Sequence, residues 1–326
     1  MNDFENTEKI YTPGDLHAWH RDGPSFAVLG RPIAHSLSPK MQNRALAEIK
    51  ARFGGISRTA KYFRFEIAPE QLGETLPLFL EKNFAGLNLT IPHKVAALPF
   101  LAELSPEAKR IGAANTLAVA VTGTARNGAP ELAWRGENTD GRGFARAAKM
   151  LLGRDLAGAN IVLLGAGGAA RAIAATALTE GCASLTVVNR SRERRDALEA
   201  ALKKHFPDAA EKIASRAPFS ADETNALPDA ALVVNATPLG LAPGDASPLP
   251  PKILRDDCAV YDTTYAAAHT SALVSAARER RLPAADGRAM LAWQGALALE
   301  IWLRGSCIPA ETVFPWMFEE ICPRSA

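Results

Sequence analysis

Apolar and polar positions alternate in short runs along most of the chain. FAVLG reads as a strand, the stretch after it as a helix to about Lys50, KYFRFEI as a period-two strand, PEQLGETLPLFLEK as a helix and AGLNLT as another strand. NTLAVAV and ELAWRG flank the turn-rich TGTARNGAP and read as a hairpin, so the first sheet is expected to be mixed. The second half is more regular. IVLLG, a long alanine-rich helix, SLTVVNR, another helix, ALVVNATP and AVYDTTY alternate strand with helix, the pattern of a doubly wound parallel sheet. The fold class predicted is α/β in two domains. An N-terminal mixed-sheet α/β domain covers 25–145 and takes back the last helices, about 289–326; a Rossmann-like doubly wound domain covers 146–288; residues 1–24 read as a polar extension.

A length of 326 residues fits two domains, and 48% hydrophobic content is ordinary for a chain that buries real cores. Lys and Arg number 37 against 35 for Asp and Glu, so no basic field points to nucleic acid or an anionic membrane. An anionic ligand must therefore be held locally. No uncharged apolar run reaches spanning length, and the acidic start MNDFENTEKI does not read as a secretory signal. Cys182, Cys258, Cys307 and Cys322 lie far apart without a C-x-x-C pair, which suggests neither zinc nor a disulfide framework. A cytoplasmic setting is expected. His17 and His20 in HAWH lack the Cys or acidic neighbours that would complete a metal site, and no metal is expected.

The chemistry-bearing residues sit at strand ends. After IVLLG, Gly165, Gly167 and Gly168 open a helix, where phosphate can meet bare backbone N–H groups at the positive helix end, although Ala170 replaces the third glycine of G-x-G-x-x-G. An NAD site offers an acid about 20 residues on. SLTVV instead runs into Asn189, Arg190, Ser191, Arg192, Glu193 and Arg194, a basic and hydroxyl-bearing corner suited to a 2′-phosphate, hence NADP. An exposed helix face accounts for Arg192 and Arg195. In the first half, GRPIAHSLSP places Ser36 and Ser38 between a strand and a helix. Helix capping by Ser38, with Pro39 at the first helical position, leaves Ser36 and His35 over. Asn88, Thr90 and Lys94 end GLNLTIPHK, Asn115 opens a strand in GAANT, and Asn138, Thr139 and Asp140 lie in GENTDGRGF. Each has an ordinary reading: a surface lysine, a turn asparagine, a helix cap. Together they crowd one rim with donors and acceptors, as a small polyhydroxylated acid would require.

GRPIAHSLSP, GLNLTIPHK, GAANT, GENTDGRG, GAGGAAR, NRSRER, NATPLG, YDTTY and DGRAMLAWQ, in this order and from Phe26 to about Trp302, resemble the shikimate dehydrogenase family, which includes quinate-using members. The resemblance implies NADP-dependent reduction of 3-dehydroshikimate to shikimate by a monomer or homodimer. It implies that Ser36, Ser38 and Tyr265 bind the substrate carboxylate, that Thr90, Asn115, Asp140 and Gln294 hold ring hydroxyls, and that Lys94 is the catalytic lysine with Asp140 beside it. Gly165, Ala166, Gly167, Gly168, Ala169, Asn189, Arg190, Ser191, Arg194, Thr263 and Gly287 match cofactor positions. The stretch from Ala266 to His269 lacks a proline usual in the family, and Ala289 replaces a common glycine. Rival readings are a quinate or quinate/shikimate dehydrogenase using NAD(P), against which the arginines argue; a methylenetetrahydrofolate-type dehydrogenase, against which the paired serines argue; and an NADP-sensing binding protein without turnover, against which Lys94 and Asp140 argue.

Overall fold

The computed structural model describes residues 3–54, 59–125, 128–220, 229–265 and 269–322. The predicted departure at 266–268, most of the segment between Arg52 and Thr59, and residues 126–127 of the hairpin turn lie outside the described residues. The chain forms two compact units, Met1–Thr139 with Ala292–Ala326, and Asp140–Leu291.

The first unit contains β1 (Ile10–Tyr11), β2 (Ser25–Gly30), β3 (Lys61–Glu66), β4 (Phe84–Leu89), β5 (Glu103–Leu104), β6 (Thr116–Thr124) and β7 (Pro130–Glu137). They make one mixed sheet in the order β1-β3-β2-β4-β6-β7-β5. β1, β3, β2 and β4 run parallel, and β6 and β7 form the expected antiparallel hairpin, paired through β6 to β4. Every residue of β2 is buried, because both faces of the sheet are covered. Ala27 and Leu29 join Phe63, Phe65, Leu72, Leu76 and Phe79 on one face, while on the other Phe26 stacks on Trp302 at 5.0 Å. The helix Ser38–Phe53 lays Met41, Ala45, Leu46 and Ile49 inward at helical spacing. Gln42 Nε2 donates to Gly295 O at 3.2 Å, and a Cβ at Gly295 would stand 2.6 Å from Met41 Cε, so the helix Arg288–Trp302 approaches it closely.

The N-terminal stretch is not a polar extension. β1 pairs in parallel with β3, and Phe4, Tyr11, Leu16 and Trp19 are buried in the same core as Phe63 and Phe65. Trp19 meets Phe63 edge-on at 4.9 Å. A two-residue strand carries no readable period, and these aromatics are scattered among polar residues, so only the long-range pairing reveals the element.

The second unit contains β8 (Asn160–Leu164), β9 (Ser184–Val188), β10 (Ile213–Arg216), β11 (Leu232–Asn235), β12 (Ala259–Asp262) and β13 (Ala284–Ala285). All pairs are parallel and the order is β10-β9-β8-β11-β12-β13, a doubly wound sheet whose order reverses between β8 and β11. The helix Asp140–Leu152 belongs wholly to this unit, earlier in the chain than the predicted boundary. Gly141 lies so close to the helix Gly168–Thr179 that a Cβ there would collide with the Thr176 hydroxyl, and Phe144 meets Tyr261 edge-on at 5.4 Å. The return to the first unit falls at Leu291, inside Arg288–Trp302.

Candidate active site

The polar clusters of the first unit meet at one edge of its sheet, where β2 and β4 end and β6 begins. Thr90 N donates to Leu29 O at 2.9 Å and Arg31 N to Ile91 O at 3.0 Å, joining the Ser36 turn to the Thr90 turn. Gly30 is required at this junction. A Cβ there would collide with Thr90 Cγ2, so Thr90 turns its methyl to the glycine, and its hydroxyl makes no hydrogen bond among the described residues. Lys94, half-buried in the short helix His93–Ala96, accepts Ala114 N at its carbonyl at 2.8 Å, which fixes the lysine turn against the strand bearing Asn115. Ser36, Ser38, Thr90, Lys94, Asn115 and Gln294 are thereby all assembled within this unit.

The serine turn differs from its predicted geometry. The helix begins at Ser38 itself with Leu37 as its N-cap, a residue whose side chain cannot cap, and Ser36 Oγ accepts Ser38 N at 3.3 Å. Ser38 is thus inside the first turn, where its oxygen cannot reach the orphan N–H groups that a true N-cap serves. Ser38 as a whole is 6% exposed, and its hydroxyl makes no hydrogen bond among the described residues. Capping does not explain Ser38.

Asn115 is the most engaged member. Its Oδ1 accepts Thr139 N at 2.8 Å and the Thr116 hydroxyl at 3.1 Å, while Nδ2 donates to Thr139 Oγ1 at 3.0 Å and to Gln294 Oε1 at 3.3 Å. The long bond to Gln294 is the one a ligand hydroxyl can most readily replace. Asn88, beside it, is buried and committed to the fold, accepting the Tyr62 hydroxyl at 2.8 Å and donating to Asn115 O and Thr116 Oγ1. Asn138 is equally committed through Nδ2 to Ala113 O at 2.9 Å. Asp140 opens the helix of the second unit and is 3% exposed.

In the second unit Gly165 has φ +114°, and a Cβ on it would stand 2.7 Å from Ala236 O, so glycine is obligatory where β8 passes β11. Gly167 is the N-cap of Gly168–Thr179, and nothing lies within 4 Å of where its Cβ would be. Ala166, Gly167, Gly168 and Ala169 thus present backbone at a helix N-terminus with room for a phosphate. At the end of β9, Ser191 caps the helix Arg192–His205 by accepting Arg194 N at 3.3 Å, and Asn189 Nδ2 braces the turn through Ser191 O at 3.0 Å. Arg190 lies in the turn rather than on the helix, so its relation to Arg194 is not that of two residues on one helical face. Both are exposed, and their guanidinium groups make no hydrogen bond or ion pair among the described residues, whereas Arg192 and Arg195 both reach Asp196. Thr263 and Gly287 are pressed together, a Cβ at Gly287 colliding with Thr263 O. Tyr265 follows, half-buried, with its phenol pushed up to about 12 by desolvation.

Reading the sequence missed the brace behind these loops. Asp262, fully buried, accepts Asn235 Nδ2 at 2.9 Å, Thr264 N at 2.9 Å, Thr264 Oγ1 at 2.8 Å and Ser271 Oγ at 2.6 Å. Burial raises its carboxyl pKa, with these four donors acting in opposition. Asn235 also donates to Leu239 O at 2.9 Å, so one cluster holds the loops after β11 and β12. The signal was present in NATPLG and YDTTY, whose Asn and Asp end adjacent strands. His93, beside Lys94, is fully buried with Nε2 on Ile67 O at 2.9 Å, and desolvation lowers its pKa.

A doubly wound sheet with a glycine turn, an open helix N-terminus and two unpaired arginines beyond the second strand defines a dinucleotide-binding unit, carried with a mixed-sheet unit whose rim is lined by hydroxyls, amides and one lysine. Residues 28–117 match the family model of the shikimate dehydrogenase substrate binding domain, and residues 146–216 that of shikimate / quinate 5-dehydrogenase. Shikimate dehydrogenase (NADP(+)) of Symbiobacterium thermophilum is 39% identical over 282 residues, 86% of this chain and 89% of that protein. A crystal structure of shikimate dehydrogenase in complex with NADP+ superposes with TM-score 0.76 at 28% identity, covering 93% of this chain and 98% of the other. The Thermus thermophilus enzyme in complex with NADP(H) and shikimate gives 0.68 at 33% identity, covering 91% and 99%. The chain belongs to the shikimate dehydrogenase family.

Proposed function

We propose that the chain catalyses the NADP-dependent, reversible reduction of 3-dehydroshikimate to shikimate, the first unit serving as substrate domain and the second as cofactor domain. The observation that carries the reading is the Ser36 and Ser38 turn. It presents the Ser38 hydroxyl, which has no capping duty, next to the Ser36 hydroxyl, whose oxygen takes the Ser38 N–H at 3.3 Å and whose proton is left to donate, beside Thr90 and Lys94, a donor set for a carboxylate on a hydroxylated ring. Family membership supports the same substrate.

NADP fits the second unit on its own geometry: an open helix N-terminus at Gly167 for the pyrophosphate, and Arg190 and Arg194, whose guanidinium groups have no partner among the described residues, for the 2′-phosphate. Asn189 and Ser191 shape that corner, and Thr263 and Gly287 line the opposite end. When bound, the nicotinamide supplies the hydride in reduction and accepts it in oxidation. Ser36 and Ser38, with Tyr265, hold the carboxylate; Thr90, Asn115, Asp140 and Gln294 hold ring hydroxyls and so fix which carbon is presented. Lys94 Nζ gives its proton to the carbonyl oxygen as that oxygen becomes an alcohol, and takes it back in the reverse direction. A cytoplasmic setting and a monomeric or homodimeric state accompany this reading, the former supported by four cysteines far apart in sequence. Among the described residues no helix is long and apolar enough to cross a membrane.

The test is formation of NADPH with shikimate, run beside quinate and beside NAD. The expected order places shikimate with NADP highest in kcat/KM. Absence of turnover with shikimate, or a preference for quinate with NAD, would overturn the assignment.

A further inference from the structure

Arg64 stands in the middle of β3, flanked by Phe63 and Phe65, which point into the core on the other face. Only 9% of it is exposed. A guanidinium so placed is costly unless its N–H groups find acceptors, and the acceptors it has found are informative. Nη1 donates to Ala34 O at 2.7 Å, and Nη2 donates to Glu8 Oε2 at 3.1 Å. Nε is buried without a partner among the described residues, so the side chain is aimed for its two Nη contacts rather than satisfied all round.

The two contacts join the serine turn to the N-terminal stretch. Ala34 sits inside the turn closed by Ser36 N on Ile33 O at 3.1 Å and continued by Ser38 N on Ser36 Oγ at 3.3 Å. Fixing the Ala34 carbonyl therefore fixes where the two serine hydroxyls are presented. Glu8 comes from the N-terminal stretch, just ahead of Ile10, whose Cα is the register partner of Arg64 itself. The stretch is anchored by Phe4, Tyr11 and Trp19 in the core, so Glu8 is held by a buried element although its own carboxylate reaches solvent.

We infer that Arg64 is a positioning residue for substrate carboxylate binding, acting through the Ser36 and Ser38 turn, and that the N-terminal stretch holds Arg64 in its working rotamer through Glu8. This rests on the carboxylate reading of the serines. Arg64 donates to a backbone carbonyl and not to the substrate, so its influence falls on substrate affinity; the cofactor corner, in the other unit, is untouched. Its fixed positive charge under the turn also favours an anion bound above it.

The experiment measures kcat and the KM values for shikimate and NADP in wild type, Arg64→Met, Arg64→Lys and Glu8→Gln, well below each melting temperature. Wild-type turnover of shikimate is read first; its absence strikes the carboxylate reading, not Arg64. Given turnover, Arg64→Met should raise KM for shikimate by about ten-fold, the size of one lost charge-assisted bond, with kcat and KM for NADP nearly unchanged. Arg64→Lys, which keeps a charge and a donor, should recover part of that loss. Glu8→Gln, at an exposed carboxylate, should fold normally and raise KM for shikimate by about two- to five-fold, as a weakened surface ion pair would. A lowered melting temperature with KM for shikimate unmoved in Arg64→Met and Arg64→Lys would show a strut and overturn the proposal. Should Arg64→Met not fold, an unmoved KM in Arg64→Lys and Glu8→Gln overturns it equally.

Discussion

Lys94 and its neighbour His93 show how one turn divides chemistry from support. Lys94 is the half-buried residue whose backbone is tied to Ala114, while His93 is turned inward, fully buried, with Nε2 on Ile67 O. Replacing Lys94 by Ala should leave the fold and KM for shikimate nearly intact and lower kcat by ~10² to 10⁴, the usual loss for a positioned acid or base; near-normal kcat would remove Lys94 from the proton transfer. His93 gives a pH effect of definite sign. Burial depresses its pKa, so the folded ring stays neutral where the unfolded ring, near its ordinary value of about 6.5, takes up a proton. Its contribution to stability is complete above that pH and is lost as pH falls toward the depressed folded value. Melting temperatures between pH 8 and 5 should therefore decline more steeply in wild type than in His93→Gln. Parallel curves would assign the acid sensitivity elsewhere.

At the scale of elements, loops at strand ends were largely legible and their internal geometry was not. The second-half alternation, the glycine turn and the β6–β7 hairpin follow from period and turn chemistry, which are local. Ser38 was misplaced by one position because a capping argument assigns oxygen to the residue before the helix, and here Leu37 occupies that place. In the basic corner after β9, Ser191 takes the cap and leaves Arg190 in the turn. The consequence favours the phosphate reading, since a turn residue whose side chain has no partner among the described residues can meet a ligand. Arg190→Ala should raise KM for NADP on the order of 10 to 100 fold, from roughly 1.5 to 3 kcal/mol of charge-assisted bonding, and leave the weaker NAD reaction alone. Arg192→Ala, which loses only its contact with Asp196 at 3.3 Å, should change neither. Comparisons belong at one ionic strength, because the contact is electrostatic. Equal losses with both cofactors in Arg190→Ala would mean that it supports the turn instead of reading the phosphate.

For the whole molecule, the two-unit division was legible from the change of rhythm along the chain, but membership of the N-terminal stretch was not. Its evidence is spread over Phe4, Tyr11, Leu16 and Trp19, which have no common period and become one surface only when β1 pairs with β3. Fully burying side chains of this size stabilises by roughly 1.5 to 3 kcal/mol each, so the four together rival the whole stability of a typical domain, about 5 to 15 kcal/mol. Deletion of residues 1–22 should therefore leave the first unit unable to fold stably, not merely trimmed. Trp19→Ala is the milder and more measurable change, expected to cost about 3 to 5 kcal/mol as a large-to-small core substitution. All five tryptophans, Trp19, Trp134, Trp293, Trp302 and Trp316, lie in the first unit, so fluorescence during urea unfolding reports on that unit and is blind to the other. The four that remain in Trp19→Ala should unfold at a clearly lower urea midpoint than in wild type. A midpoint unchanged in Trp19→Ala, together with normal folding of the deletion, would return residues 1–22 to the status of an appendage and detach Glu8 from any part in binding.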